Sequence, residues 1–297
     1  MSDGLTLQGA MTAIVTPFQG DQVDWDAFGR LIDEQLAGGI QGLVPCGTTG
    51  ESPTLSTDEH KKVVEFTVDR VNGRVPVIAG AGSNSTAEAM ELTEHAKKAG
   101  ADAGLIVNPY YNKPTQEGMF RHIQRLGEVG LPIVLYNIPG RTGIELAPET
   151  ILRMYEEIEM VVAIKEATGK LDTVSELAAE CDITILSGDD SLTLPMGAVG
   201  GKGVVSVVGN LLPGEIRKLT DAMLAGRADE ARRQHLKLFP LLKGMLTLAT
   251  NPIPIKAALS MAGKCADQLR LPMVSLDDAN RDKLGKMLQA FGVDVTG

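Results

Sequence analysis

The sequence predicts an α/β fold of the TIM type, a (β/α)8 barrel, with a C-terminal helical extension. Three observations carry this. Eight short apolar runs, rich in Val and Ile, alternate with longer amphipathic stretches over roughly the first 225 of 297 residues. The runs mostly lack polar alternation, as parallel strands buried on both faces do. After Arg227 the strand-like runs stop, and only helical patterns follow. An open doubly wound sheet is the runner-up, and eight sequential strands are large for it.

In chain order the strand runs are Met11–Val15, Gly42–Pro45, Pro76–Ala79, Ala103–Val107, Pro132–Tyr136, Val161–Ile164, Ile183–Leu186 and Val204–Val207. The helical patterns between them are Trp25–Leu36, Thr57–Val71, Thr86–Ala99, Gln116–Val129, Pro148–Glu157, Thr173–Glu180, Leu192–Val199 and Pro213–Ala225. Ser56 and Ser85 stand where caps belong, and Pro148 stands at a first helical position. Gly38–Gly39, Gly100 and Gly130 mark helix ends. The spacing predicts further helices over Ala228–Leu248, Pro254–Ala262 and Leu276–Phe291, punctuated by Pro252, Pro254 and Pro272. Residues 1–227 are thus expected to form the barrel. Residues 228–297 are expected to form a helical appendage packed on it.

Composition narrows the function. Lys plus Arg is 28 and Asp plus Glu 38, a net charge of −10, which offers no footprint for a phosphate backbone. No nucleic-acid partner is expected. Cys46, Cys181 and Cys265 are far apart and odd in number, with no zinc-ligand spacing, so neither a disulfide framework nor a metal site is expected. Free thiols suit a reducing, cytoplasmic compartment. The opening MSDGLTLQGAMTAIVTPF has no basic region followed by an apolar one, so no leader is expected. No apolar run is long enough to span a bilayer, and no membrane association is expected.

A barrel of this type carries its chemistry where the strands end. Lys165 follows four apolar residues, Val161–Ile164. It is either a rim lysine reaching solvent or an imine-forming amine, since desolvation disfavours an ammonium and frees its lone pair. Tyr136 ends the preceding strand run, about 4.8 Å away if the strands pair. Its phenol could shuttle protons during imine formation. Gly47–Thr48–Thr49–Gly50–Glu51 follows the second strand run. Its hydroxyls and free N–H groups could hold a carboxylate, or it could be an ordinary tight turn. Arg141, just beyond Tyr136, could capture a carboxylate in bidentate fashion. His60, His95, His122 and His235 fall in helical patterns, which disfavours a His-rich metal site. No GxGxxG follows a strand, so no dinucleotide is expected. Amine, phenol and hydroxyls together suit covalent carbonyl chemistry without a cofactor.

Six segments then resemble the dihydrodipicolinate synthase family of the pyruvate-dependent class I aldolases: GTTGES at Gly47–Ser52, NPYYNKPTQEG at Asn108–Gly118, YNIPGRTG at Tyr136–Gly143, IKEATG at Ile164–Gly169, SGDD at Ser187–Asp190 and NPIPIK at Asn251–Lys256. They stand in the family's order and run nearly end to end. The resemblance implies condensation of pyruvate with aspartate semialdehyde, through a lysine imine and without a cofactor. It implies that Lys165 forms the imine and that Tyr136, Thr48 and Tyr111 relay protons, Tyr111 reaching in from a neighbouring subunit. Thr48 and Thr49 would hold the pyruvate carboxylate. Val205 and Gly188 would line the pocket, and Arg141 would hold the second substrate's carboxylate. A homotetramer, as a dimer of dimers, is implied as well. So is an L-lysine effector site at Ser52, Pro53, His60, Asn84, Glu88 and Tyr110, where Thr57 departs from the histidine that sensitive members often carry. Related aldolases that cleave sialic acid or keto-deoxy sugar acids share the lysine, the tyrosine and the turn. Arg141 and the NPYYNKP loop favour the synthase. A non-catalytic metabolite-binding barrel is the third possibility.

Overall fold

The computed structural model describes residues 5–295; residues 1–4, on which the expectation of no leader partly falls, and 296–297 lie outside the described residues. Eight strands run parallel: β1 Gly9–Ala13, β2 Leu43–Val44, β3 Ile78–Gly80, β4 Ala103–Val107, β5 Ile133–Asn137, β6 Val161–Glu166, β7 Thr184–Ser187 and β8 Gly203–Ser206. Their order in the sheet is β2-β1-β8-β7-β6-β5-β4-β3. The two ends of this order meet. Leu43 and Val77 form a parallel bridge, Leu43 N donates to Pro76 O at 2.9 Å, and Gly80 N donates to Pro45 O at 2.9 Å. The sheet is therefore a closed barrel.

The alternation along each strand sorts its side chains. In β5, Ile133 and Leu135 pack with the surrounding helices in a cluster with Leu126 and Met154. Val134 and Tyr136 belong to the inner cluster with Met11, Ala163, Leu186 and Val205. One strand thus faces helices on one side and the barrel interior on the other, which explains the continuous apolar runs.

The surrounding helices are α1 Trp25–Ala37, α2 Thr57–Val71, α3 Thr86–Ala99, α4 Gln116–Gly127, α5 Pro148–Glu157, α6 Leu171–Glu180, α7 Thr193–Ala198 and α8 Pro213–Leu224. Helix α2 opens with a capping box: Glu59 N donates to Ser56 Oγ at 3.2 Å, and Ser56 N donates to Glu59 Oε2 at 2.9 Å. Three more helices follow, α9 Ala228–Thr247, α10 Ile253–Met261 and α11 Asp278–Phe291. Their Leu238, Leu242, Leu259 and Leu284 share one buried cluster with Phe28, Leu31 and Val208 of the barrel. No described helix is long and apolar enough to cross a membrane.

Several element boundaries differ locally from the expected ones. The first strand ends at Ala13 rather than Val15, because the Val15 amide donates to the Asn210 side chain at 3.0 Å instead of to a neighbouring strand. A hairpin, Phe18–Gln19 paired with Gln22–Val23, precedes α1. Strands of two residues are too short to show a period.

Candidate active site

The catalytic candidates arise from strand register. Val134 pairs with Ala163, and Tyr136 pairs with Lys165. Val134 and Ala163 point inward, so side chains two residues on point inward too. Lys165 is 6% exposed and Tyr136 5%, and Lys165 Nζ lies 4.2 Å from the centroid of the tyrosine ring. Lys165 is therefore a buried amine beside a phenol and not a solvent-reaching rim residue. Asp189, half-buried after β7, feels the same amine: burial pushes its carboxyl up, and the Lys165 charge draws it back down.

Glu166, the next residue of β6, faces the other way and is buried. Its carboxylate accepts from Asn137 Nδ2 at 3.1 Å and from Thr168 N at 2.6 Å, while Asn108 Nδ2 donates to Asn137 Oδ1 at 3.2 Å. Burial raises the Glu166 carboxyl against these bonds. The network ties together the ends of β4, β5 and β6, which carry Tyr136 and Lys165.

The turn after β2 is compact. Gly50 N and Ser52 N donate to Gly47 O at 3.1 and 3.3 Å, and Thr16 Oγ1 donates to Gly50 O at 2.7 Å. Glu51 takes a left-handed backbone with φ of 55°. Thr48 is half-buried and Thr49 buried, with Thr49 Oγ1 accepting from Asn251 Nδ2 at 3.0 Å. Two strands along from β2, Val205 of β8 pairs with Met11 of β1 and faces inward. Gly188 is obligatory where it stands, because a Cβ there would lie 2.5 Å from the Ala167 Cβ.

A cavity of about 400 Å³ opens at this rim, lined by Thr48, Tyr136 and Arg141. Its wall continues through Ser52, Pro53, Thr57, His60, Glu88 and Tyr110. Lys165, Thr49, Val205, Gly188, Asn84 and Tyr111 are not among its lining residues. Neither ring nitrogen of His60 has a partner of hydrogen-bonding geometry, although the Gly80 backbone is near enough to favour the protonated ring. Burial dominates and lowers this histidine to about 4. Glu88 accepts a hydrogen bond from Ser83 Oγ.

Tyr111 points away from its own chain. It is 91% exposed and holds a left-handed φ of 74°. Asn84 Nδ2 donates to Tyr110 O at 3.1 Å, and Asn112 Nδ2 donates to Asn84 O at 2.8 Å, which fixes the loop in that shape. Among the described residues no group of three or more His, Cys, Asp or Glu could hold a metal ion.

Residues 6–291 match the Dihydrodipicolinate synthetase family. The chain belongs to that family. It is 52% identical to the 4-hydroxy-tetrahydrodipicolinate synthase of Geotalea daltonii, over 96% of this chain and 98% of that one. The crystal structure of the chloride-inhibited dihydrodipicolinate synthase from Acinetobacter baumannii, complexed with pyruvate, superposes with a TM-score of 0.94. It is 38% identical and covers 97% of this chain and 100% of that one. The enzyme from Cyanidioschyzon merolae with lysine bound gives a TM-score of 0.93 at 37% identity, over 96% and 98% of the two chains.

Several residues around the site escaped sequence reasoning: Glu51, Glu166, Asp189, Asn251 and Lys256. All lie in the segments that carry the family resemblance. What the sequence lacks is their pairing, which for Asn251 and Thr49 spans 202 residues.

Proposed function

We propose that this family member is a 4-hydroxy-tetrahydrodipicolinate synthase, condensing pyruvate with L-aspartate 4-semialdehyde at the entry to diaminopimelate and lysine synthesis. The observation that carries the reading is the in-register pair of a buried amine and a phenol, Lys165 and Tyr136, on adjacent strands.

In this reading the Lys165 amine attacks the keto carbon of pyruvate. The resulting carbinolamine loses water to give an imine. The imine draws electrons from the methyl group, which gives up a proton and becomes the nucleophilic carbon of an enamine. That carbon attacks the aldehyde of the second substrate. The second substrate's own amine then displaces Lys165 from the imine carbon and closes the ring, so one water is lost overall. Tyr136 and Thr48 relay the protons, joined by Tyr111 of a neighbouring subunit. Thr48 and Thr49 hold the pyruvate carboxylate, Val205 and Gly188 shape the pocket, and Arg141 holds the carboxylate of the aldehyde. The covalent imine supplies the electron sink, so no cofactor takes part.

The exposure and locked loop of Tyr111 support a homotetramer built as a dimer of dimers, in which each phenol serves a neighbour's site. The wall through Ser52, Pro53, His60, Glu88 and Tyr110, with Asn84 behind it bonded to the Tyr110 carbonyl, is read as an L-lysine effector site, with Glu88 pairing the effector's ammonium. The reading places the enzyme in the cytoplasm.

The deciding experiment is borohydride reduction in the presence of pyruvate, followed by peptide mapping. One pyruvate-derived adduct at Lys165 is expected, and none in Lys165→Ala. An adduct that survives that substitution would remove Lys165 from its role.

A further inference from the structure

The C-terminal helical region reaches back to the turn that follows β2. Asn251, just ahead of α10, donates from Nδ2 to Thr49 Oγ1 at 3.0 Å, and its backbone carbonyl accepts from Arg141 Nη2 at 3.0 Å. Further along the same segment, Lys256 Nζ donates to the Glu51 carboxylate and, at 2.8 Å, to Gln268 O. The second carboxylate oxygen of Glu51 accepts from Arg270 N at 3.1 Å. Lys256 is fully buried and Glu51 nearly so. The ammonium sits 4.2 Å from the centroid of the Phe18 ring, and the Arg270 guanidinium lies 4.4 Å from the same ring.

A buried ion pair is a poor device for stability, because an apolar pair of the same volume serves as well or better. Burial also holds the Lys256 amine below its ordinary value, even with Glu51 beside it. What such a pair supplies is direction: charge-assisted hydrogen bonds fix both ends in one geometry. The end fixed here is Glu51, whose left-handed backbone closes the Thr48–Thr49 turn. The other link, from Asn251, orients the Thr49 hydroxyl itself.

We propose that Asn251 and Lys256 are positioning residues that hold the Thr48–Thr49 turn in the geometry that receives the keto acid's carboxylate, making the NPIPIK segment a working part of the site. This rests on the reading that the turn binds that carboxylate.

The test measures imine trapping across pyruvate concentrations, together with thermal stability, in the full-length enzyme. Lys256→Met alone leaves a buried carboxylate unpaired and is expected to lower the melting temperature. The double variant Glu51→Gln with Lys256→Met removes both charges and is expected to recover that loss. Its half-saturating pyruvate is nevertheless expected to stay raised, by about tenfold, as for a lost orienting hydrogen bond. Asn251→Ala leaves every charge in place and is expected to raise half-saturation by a similar factor with little change in melting temperature. It decides the matter if the double variant does not fold. Half-saturation at the wild-type value, in Asn251→Ala or in a folded double variant, would overturn the proposal. A wild type that traps no pyruvate would instead overturn the functional reading beneath it.

Discussion

Replacing Tyr136 by Phe keeps the ring beside Lys165 and removes one hydroxyl. A proton relay lost this way lowers the turnover rate by about 10²–10⁴-fold while leaving the fold intact. Steady-state kinetics with a matched melting curve would check this, and a near-normal rate would take the phenol out of the mechanism. A second residue-scale prediction concerns acid stability. His122 is buried with Nε2 unpartnered, and burial lowers it to about 4 from the ordinary 6.5. Between those values the unfolded chain binds a proton that the folded chain refuses. Its contribution is therefore complete above about pH 6.5 and fades as the pH drops toward 4, by at most about 1.4 kcal/mol per pH unit. His122→Gln should flatten the melting temperature against pH in that window; a curve parallel to wild type would sink the idea. Lys165 and Tyr136 were legible in the sequence because each closes an apolar run. Glu51 and Lys256 were visible only as residues, since their pairing joins positions 205 apart.

The strand–helix repeats were the most legible level of the structure. Parallel strands buried on both faces leave continuous apolar runs, and a serine cap (α2, α3) or a first-turn proline (α5) announces a helix start, so these three lie where the pattern puts them. The hairpin at Phe18–Val23 was not legible, and neither was the brevity of β2. Closure of the barrel at β2 and β3 depends on one glycine. A Cβ on Gly80 would lie 2.0 Å from Cys46 O, so a strand or a turn must give way. Gly80→Ala is expected to cost about 2 kcal/mol or more, read as a lowered denaturation midpoint. Wild-type stability would mean that the β2–β3 seam yields easily.

At the scale of the whole molecule, barrel and appendage share a core, with Leu238, Leu242 and Leu259 packed among barrel residues. The site, by contrast, is incomplete within one chain if Tyr111 takes part, because that side chain faces outward. Dilution that splits the assembly should then lower specific activity by about tenfold or more, the scale of a missing proton-transfer group. Sedimentation alongside activity would show it, and a fully active monomer would contradict it. The packing of the appendage was legible from its helical patterns, but the outward tyrosine was not legible from residue patterns alone, since a strained loop tip carries no periodic signal.

The pairing of Val134 with Ala163 and of Tyr136 with Lys165 has an outcome for redesign. The alternation that packs the interior also aims the two reactive groups, so core and chemistry are written in one reading frame. Slip either strand by a single residue, and its reactive group turns outward among the helices while helix-facing aliphatics crowd the lumen. An engineer can exchange the inner aliphatics with some freedom, but an insertion in β5 or β6 is expected to unpack the barrel and, if Lys165 and Tyr136 carry the proposed chemistry, to silence the enzyme at the same stroke.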